Sequence, residues 1–268
     1  MLRNVEEVPQ NKKLIVFDLD GTLTESKSGI DEEMTGLLKK LLEAKQVAVI
    51  GGGKYEIFMD QFVSRLNMSE KLLGRLYLFP ASGTSFYKYK NGLWTQVYAH
   101  ELSSEEKKKV FMAFEKTFQE LGYKHPDETF GELIEDRGTQ ITFSALGQDA
   151  PLDLKKKWKE EHSDIKMKIA EILRKHLPDF EVKAAGHTSI DVTRKGIDKG
   201  YGMRQIKEHL GISIGDMLFV GDALFPGGND EAALHAGVLC FEVKDVEETK
   251  RLIEYLIKTA STSAPSSS

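Results

Sequence analysis

The sequence predicts an α/β protein, with a parallel sheet built from both ends of the chain and an α+β domain inserted between them. Short apolar runs of strand length alternate with helix-spaced apolar residues near each terminus. The middle of the chain carries strand and helix patterns without that alternation. With 268 residues, 40% of them hydrophobic, the chain is long enough for two domains.

The N-terminal elements form a strand–helix–strand unit. Residues 14–17 are a continuous apolar run that ends in the polar turn Asp-Leu-Asp-Gly-Thr, which is typical of a buried parallel strand meeting a loop. A second apolar run, at 47–50, ends in three glycines. Apolar residues between these runs recur at helical spacing: Met34, Leu37, Leu38, Leu41 and Leu42. Such a unit favours parallel pairing of its two strands.

The same alternation returns near the C-terminus. Met203, Ile206 and Leu210 indicate a helix that ends at Gly211. Apolar runs at 217–220 and 238–243 then predict two further buried strands, and helix-spaced apolar residues from 246 to 257 predict a closing helix.

The middle of the chain is predicted to fold as the α+β insert. Residues 93–98, 141–143 and 189–192 show the partial alternation of strands. Ser103 with Glu106 can form a capping box at the start of one amphipathic helix, and a second such helix stops before Pro178.

These patterns divide the chain into four expected segments. Residues 1–87 are the first part of the parallel-sheet domain, 88–193 are the insert, and 194–258 complete the first domain. Residues 259–268 have no core-forming side chains and are predicted to be a disordered tail.

Charge and composition exclude several classes of function. The chain has 42 acidic and 37 basic residues, a net charge of −5, which argues against a broad nucleic-acid-binding surface. No apolar run reaches the roughly 18 residues that a membrane span needs, and the N-terminus has no hydrophobic signal core. The one cysteine, Cys240, cannot form an intrachain disulfide. We therefore expect a soluble, cytoplasmic protein that binds neither nucleic acid nor membrane.

Acidic residues follow the first predicted strand at the point where ligands collect in open parallel sheets. Asp18 and Asp20 are two residues apart, so both carboxylates can face one small volume. Thr22, Thr24 and backbone N–H groups of the same loop can hold an anion. Two neighbouring carboxylates also need a cation, and Mg²⁺ prefers oxygen ligands of this kind.

A second acidic group follows the predicted strand at 217–220. Gly221 and Asp222 follow the strand, with Asn229 and Asp230 seven and eight residues after Asp222, and Asp222, Asn229 and Asp230 can complete a metal site. Lys199 precedes the predicted helix that ends at Gly211. A lysine at that position can neutralise phosphate charge and hold a carboxylate nucleophile.

Together these residues resemble the motifs of the haloacid dehalogenase superfamily of phosphotransferases. Asp18, Asp20 and Thr22 match its first motif, Lys199 its third, and Asp222 with Asp230 its fourth. The resemblance implies a Rossmann-like haloacid dehalogenase core with an inserted α+β cap of type IIB.

Within the superfamily, most of the chain is similar to the eukaryotic-type phosphomannomutases. The most specific segment is GDALFPGGND, whose spacing is unusual elsewhere in the superfamily. Other similar segments are VFDLDGTLTESKSGI, IGGGKYEIF, FPASGTSFYKYKNG, RGTQITF and SIDVTRKGIDKGY.

The resemblance implies a reaction and a set of site residues. A phosphoryl group would pass from a hexose phosphate to Asp18, the nucleophile, with Asp20 as general acid and base and Lys199 balancing charge. Mg²⁺ would be bound by Asp18, the backbone carbonyl of Asp20 and Asp222, with Asn229 and Asp230 around it. The residues implied in binding the phosphate and the sugar are Thr22, Lys27, Gly52, Gly53, Arg137, Ser189 and Asp191. A cap-mediated homodimer is also implied.

Departures from the family pattern leave the acceptor open. Lys27 stands where the family usually has arginine, and Gly53 where it usually has serine. The segment SALGQDAPLDLKKKW lacks the further arginines of the family; either its lysines, Lys155, Lys156 and Lys157, replace them or they form a solvated helix face.

Three functions therefore remain open. A mutase would be an isomerase that interconverts mannose 1-phosphate and mannose 6-phosphate, with a hexose 1,6-bisphosphate as activator. A phosphatase, a hydrolase of the same type, would pass the phosphoryl group to water. A non-catalytic phosphosugar-binding protein ranks lowest, because Asp18, Asp20, Lys199 and Asp222 are all present.

Overall fold

The computed structural model describes residues 1–25 and 28–262, without the side chains of 260–262. Its contacts divide into two compact units. The first unit contains residues 1–99 together with the chain from Asp198 onward, and the second contains residues 100–197. Within the described residues no helix has both the length and the apolar composition needed to cross a membrane.

Eleven strands are found in the described residues, and they form two sheets. In chain order they are β1 (Leu14–Asp18), β2 (Gln46–Ile50), β3 (Leu76–Phe79), β4 (Ser85–Lys90), β5 (Leu93–Ala99), β6 (Ile134–Asp136), β7 (Ile141–Ser144), β8 (Phe180–Ala185), β9 (Ser189–Arg194), β10 (Met217–Gly221) and β11 (Leu239–Glu242). The helices are α1 (Glu32–Ala44), α2 (Tyr55–Gln61), α3 (Glu70–Leu73), α4 (Pro80–Gly83), α5 (Ser104–Leu121), α6 (Leu152–His176), α7 (Lys199–Leu210), α8 (Glu231–His235) and α9 (Val246–Thr262).

The first unit is built on a seven-stranded sheet in the order β11-β10-β1-β2-β3-β4-β5. Strands β11 to β3 in that order are parallel to their neighbours, and β4 and β5 are antiparallel. Strand β1 is fully buried, as the continuous apolar run predicted, because parallel sheets are covered on both faces. The predicted α/β class with a parallel sheet is confirmed.

Two helices of this unit show how local sequence sets the elements. Helix α1 begins after Asp31, whose side chain accepts a hydrogen bond from the Met34 N–H at 2.7 Å. Its five helix-spaced apolar residues are buried, as predicted. Helix α7 begins after Asp198, whose side chain accepts from the Tyr201 N–H at 2.8 Å, so that Lys199 lies in the first helical turn.

The second unit is a four-stranded antiparallel sheet in the order β6-β7-β9-β8 with two long helices, α5 and α6. Alternate strand residues such as Phe143 and Ile190 pack with helix residues such as Phe114 and Ile169 in one apolar cluster. The intervening strand residues are mainly polar, because successive side chains of a strand point to opposite faces. The predicted capping box of Ser103 and Glu106 is present at the start of α5.

The unit boundaries differ from the predicted ones. We expected the insert to start at 88, but β5 pairs with β4 in the first sheet, and the first unit continues to residue 99. The physical reason is a tight hairpin at Asn91 and Gly92, whose positive φ angles of 54° and 79° suit a two-residue turn. At the other edge, β9 continues to Arg194, and the second unit ends at 197 rather than 193.

The prediction of a disordered tail is wrong for its first four residues. Helix α9 extends to Thr262, so residues 259–262 are helical rather than disordered. Residues 263–268 lie outside the described part of the chain.

Candidate active site

Asp18 is the last residue of β1, the strand that lies between β2 and β10 in the first sheet. Strand β10 is parallel to β1 and ends at Gly221, so Asp222 follows at the same edge of the sheet. This topology explains how two acidic residues 204 positions apart in the chain lie together.

Three carboxyl groups form a cluster at this edge. One oxygen from each of Asp18, Asp222 and Asp230 lies within 4.8 Å of the others. Burial raises the pKa of Asp18 to about 8, opposed by Lys199 and assisted by Asp230 and Asp222. Burial, together with the charge of Asp230, also raises the pKa of Asp222. Burial is the main cause of both pKa shifts and the neighbouring carboxylates add to it, a setting in which a divalent cation favours the ionised carboxylates.

Lys199 lies in contact with this cluster. Its Nζ is 2.7 Å from Oδ1 of Asp18, and it also donates to Oδ1 of Asp230. Burial opposes the charge on Lys199, but the two carboxylates raise its pKa above the ordinary value. The lysine therefore stays protonated in the buried site.

Asp230 has a different environment from the other two acids. It is fully buried, and its second oxygen, Oδ2, accepts from the Ala223 N–H at 3.0 Å. Both oxygens thus have protein partners, which suits a group that holds Lys199 in place. Asn229, its neighbour, is exposed.

The loop after β1 brings further groups to the cluster. Asp20 is half-buried, and its charge contributes to the raised pKa of Asp222. The loop passes so close to Asp222 that a Cβ on Gly21 would lie 2.6 Å from Oδ2 of that residue. Thr22 is completely buried, and its hydroxyl has no hydrogen-bond partner among the described residues. A buried hydroxyl of this kind is suited to an anion oxygen.

The other positions that the resemblance assigned to phosphate differ in their surroundings. Gly52 is exposed and Gly53 half-buried in the loop after β2. The carbonyl of Gly53 accepts from the Ala81 N–H at 2.8 Å. Lys27 lies outside the described residues.

In the second unit, Asp191 belongs to a polar row across the sheet. Register places Glu135, Thr142, Asp191 and Lys183 side by side on β6, β7, β9 and β8. Thr142 Oγ1 donates to Oδ1 of Asp191 at 2.8 Å. Burial raises the pKa of Asp191, although Arg137 and Thr142 oppose the shift. Ser189 lies two residues earlier on β9 and is half-buried.

Arg137 already has protein partners. Its Nε is 2.7 Å from Oε2 of Glu135, and its Nη2 donates to Oε1 of Gln148 at 3.0 Å. Lys155 is buried, and its Nζ donates to the backbone oxygen of Gln148 at 2.7 Å. Lys156 and Lys157 are exposed, so one lysine of the three points inward and two are solvated.

Sequence reasoning missed the buried Lys166 on the same helix. Its Nζ donates to the carbonyl oxygens of Gly186 and His187, at 3.0 and 3.4 Å, in the turn between β8 and β9. A signal was present: Lys155 and Lys166 each precede a buried apolar residue, Trp158 and Ile169, by three positions, so both belong to the inward stripe of α6.

A protein-family model described as eukaryotic phosphomannomutase matches residues 34–259. A phosphomannomutase of Encephalitozoon cuniculi is 29% identical, over 92% of this chain and 94% of its own. A phosphomannomutase of Saccharomyces cerevisiae is 25% identical over 91% and 93% of the two chains. Phosphomannomutase 1 of Homo sapiens is 28% identical over 82% of each chain.

Solved structures share the fold at low sequence identity. An N-terminally truncated, IMP-bound IMP-nucleotidase of Plasmodium falciparum has a TM-score of 0.64 at 13% identity, over 95% of this chain and 70% of that one. A trehalose-6-phosphate phosphatase related protein has a TM-score of 0.54 at 17% identity, over 94% and 100% of the two chains.

Proposed function

The chain belongs to the eukaryotic phosphomannomutase family of the haloacid dehalogenase superfamily, and on this premise we propose that it interconverts mannose 1-phosphate and mannose 6-phosphate through a phosphoryl group carried on Asp18. The observation that carries the proposal is the buried contact of 2.7 Å between Lys199 and Asp18 inside the acidic cluster. A nucleophilic carboxylate needs such a cation beside it when a phosphoryl group arrives.

The proposed chemistry uses three side chains of the first unit. A carboxylate oxygen of Asp18 forms a bond to phosphorus as the bond from phosphorus to the sugar oxygen breaks, and Asp20 gives its proton to that oxygen. In the second half, Asp20 takes the proton of the incoming hydroxyl, which receives the phosphoryl group from Asp18. Lys199 offsets the charge of the phosphoryl oxygens throughout.

The acidic cluster fits a divalent metal ion. Burial is the main cause of the raised pKa values of Asp18 and Asp222, the neighbouring carboxylates add to it, and a bound cation would favour the ionised forms. We assign Asp18, the backbone carbonyl of Asp20 and Asp222 as the groups that would hold Mg²⁺, with Asn229 beside them. Bound Mg²⁺ supplies positive charge that favours the phosphoryl oxygens. Asp230 is assigned to hold Lys199, because both of its oxygens have protein partners.

Substrate groups are assigned to residues in each unit. In the first unit, the unpartnered hydroxyl of Thr22 is assigned to a phosphate oxygen, together with the Gly52 and Gly53 backbone and Lys27. In the second unit, Ser189 and Asp191 are assigned to sugar hydroxyls and Arg137 to a second phosphate. The polar row around Asp191 supports hydrogen bonding to a sugar.

One observation favours a phosphatase as second candidate. Arg137 is already paired with Glu135 and Gln148, and residues 144–158 contain no arginine. A second phosphate then gains less from Arg137 than from an unpaired guanidinium. Weak retention of a bisphosphate favours water as the acceptor.

Phosphorus NMR separates the two candidates. The chain is incubated with mannose 1-phosphate and Mg²⁺, with and without a hexose 1,6-bisphosphate activator. A mutase gives mannose 6-phosphate with little free phosphate and requires the activator. Free phosphate as the sole product contradicts the mutase and supports the phosphatase. Neither product, with binding of the sugar phosphate retained, supports the non-catalytic alternative.

Two further proposals concern assembly and location. A homodimer through the second unit is supported by exposed apolar side chains on its two helices, including Met112 and Met167. Light scattering coupled to gel filtration tests it: a monomer mass, or a dimer that survives Met112→Lys with Met167→Lys, contradicts this interface. The cytoplasmic location stays a prediction, which fluorescence microscopy of the tagged chain tests.

A further inference from the structure

A left-handed segment lies beside the phosphoryl site of the first unit. Ala81 and Ser82 have φ angles of 47° and 58°, and Gly83 has a φ of 84°. Residues other than glycine rarely have positive φ angles of this size. Two such residues in succession keep them only when the surrounding structure holds them there. We call residues 81–83 the strap.

The strap is hydrogen-bonded to the loop that follows β2. The Ala81 N–H donates to the Gly53 oxygen and the Ser82 N–H donates to the Gly51 oxygen, both at 2.8 Å. That loop adjoins the nucleophile, because Asp18 is in register with Ile50, the last residue of β2. The backbone of the loop at Gly53, which lacks the family's serine hydroxyl, is thus fixed by the strap.

The strap also packs against the first turn of α7, the turn that carries Lys199. A Cβ on Gly83 would lie 2.7 Å from the Gly202 Cα, and a Cβ on Gly202 would lie 3.0 Å from the Ser82 oxygen. The backbones of the strap and of the helix turn are in contact here, so one cannot come closer unless the other moves. The strap therefore sets the separation between the loop after β2 and the helix turn of Lys199.

Tyr98 joins the strap to the other end of the same helix. Its hydroxyl donates to the Gly83 oxygen at 2.7 Å. Its ring stacks on His209, near the C-terminus of α7, at a centroid distance of 4.5 Å. The strap is thus held from three sides: by the loop, by α7 and by Tyr98.

We infer that Tyr98 is a positioning residue for phosphoryl transfer, acting through the strap on the loop after β2 and on Lys199. Its hydroxyl holds the Gly83 carbonyl, so that the backbone of the strap keeps the loop and the lysine at the distance that the reaction needs. The inference rests on the proposed phosphoryl-transfer site and names a further residue for it.

The test compares Tyr98→Phe with Tyr77→Phe. Each substitution removes a hydroxyl that donates a hydrogen bond from a half-buried ring; the Tyr77 hydroxyl donates to Gln46, at 3.1 Å. The first readout is amide hydrogen exchange, which needs no substrate. We expect the Ala81 and Ser82 amides to exchange about tenfold faster in Tyr98→Phe and at wild-type rates in Tyr77→Phe.

The second readout is the steady-state rate for whichever phosphoryl product the wild-type chain forms, measured well below the melting temperature. We expect kcat to fall roughly tenfold in Tyr98→Phe with KM within about twofold, because positioning acts on the reacting groups. Tyr77→Phe should retain both constants. Equal kcat in the two variants, or a change in KM alone, overturns the inference.

The variant Ser82→Gly distinguishes an effect of the Ser82 side chain from an effect of the strap backbone. Glycine adopts the same φ without strain and keeps the N–H that binds Gly51, so we expect kcat within about twofold of wild type. A large loss of kcat in Ser82→Gly together with a normal Tyr98→Phe would assign the effect to the serine hydroxyl and overturn the inference. A failure of the proposed isomerisation shows instead in the wild-type product, and leaves the exchange comparison intact.

Discussion

The ammonium group of Lys199 lies 2.7 Å from Oδ1 of Asp18, and both side chains are almost completely buried. A buried ion pair is weak evidence for stability, because the desolvation of both charges opposes their attraction. Here a third charge, Asp230, pairs with the same lysine, so one cation serves two carboxylates. The arrangement is better suited to receiving a phosphoryl group and a metal ion than to holding the fold together.

Replacement of Lys199 by methionine should therefore affect both activity and stability. Two buried carboxylates lose their cation, so we expect the free energy of unfolding to fall by about 3–5 kcal/mol and turnover to fall by at least roughly 100-fold. Chemical denaturation and product NMR measure the two effects. Lys13→Met is the control, because Lys13 forms an exposed pair with Asp216 and should change neither quantity.

Substitutions of Asp222 and Asp230 should show that metal binding and the positioning of Lys199 depend on different carboxylates. Asp222→Asn removes a charge from the proposed metal site, and we expect Mg²⁺ affinity to fall by at least about tenfold. Asp230→Asn leaves Lys199 with one carboxylate, and we expect kcat to fall about tenfold with Mg²⁺ affinity within about twofold. Titration calorimetry with Mg²⁺ gives the affinities. The reverse order of affinities would contradict the assignment of Asp230.

Glu135 should influence how much of the phosphoryl group passes to water and how much to the sugar. It pairs with Arg137 at 2.7 Å, so Glu135→Gln leaves that guanidinium more available to a second phosphate. In a mutase we expect less free phosphate per mannose 6-phosphate formed, measured by phosphorus NMR. The control is Glu132→Gln, because Glu132 is exposed and lies just before β6. An unchanged ratio in both variants would show that Arg137 does not hold the second phosphate.

The stability that Glu106 contributes at the start of α5 should be lost in acid. Hydrogen bonds from Arg194 and from the Ser103 backbone lower the pKa of Glu106 to about 2 from an ordinary value of 4.5. A lowered pKa contributes stability above the unfolded value, and this contribution is lost as the pH falls from about 4.5 to about 2. Glu106→Gln should therefore lower Tm at pH 7, with the difference shrinking across that range.

Glu171→Gln is the control for this prediction. Glu171 also pairs with a neighbouring cation, Lys175, but it is exposed and caps no helix. We expect its Tm to follow the wild type at every pH. A Glu106→Gln deficit that persists at pH 2 would contradict the electrostatic explanation.

Much of the parallel sheet and several helix starts could be predicted from the sequence, since strands such as β1 and β10 are fully buried and the helix caps are local. The strand before Asp18, the apolar face of α1 and the start of α5 agree with their patterns, and the resemblance to the family is confirmed by the family match. These features depend on residues close together in the chain.

The misplaced features depend on pairings that the local sequence pattern does not identify. The alternation in β5 predicts a strand, but it does not show which strand β5 pairs with. The sequence pattern therefore places β5 in the insert. The pairing of Arg137 with Glu135 and Gln148 requires the turn after β7, which spacing does not reveal. Lys166 looks like one more charged residue on a helix rich in lysine until its place in the inward stripe is considered.

Asp18 is the residue that we propose to carry the phosphoryl group. The most direct test of this proposal is peptide mass spectrometry of the chain after rapid acid quenching of a reaction with hexose 1,6-bisphosphate and Mg²⁺. We expect a phosphoryl group on the peptide that contains Asp18. It should be lost on addition of hydroxylamine and be absent in Asp18→Asn, which should also lack turnover. Full turnover by Asp18→Asn, or a phosphoryl group on another residue, would show that Asp18 is not the nucleophile.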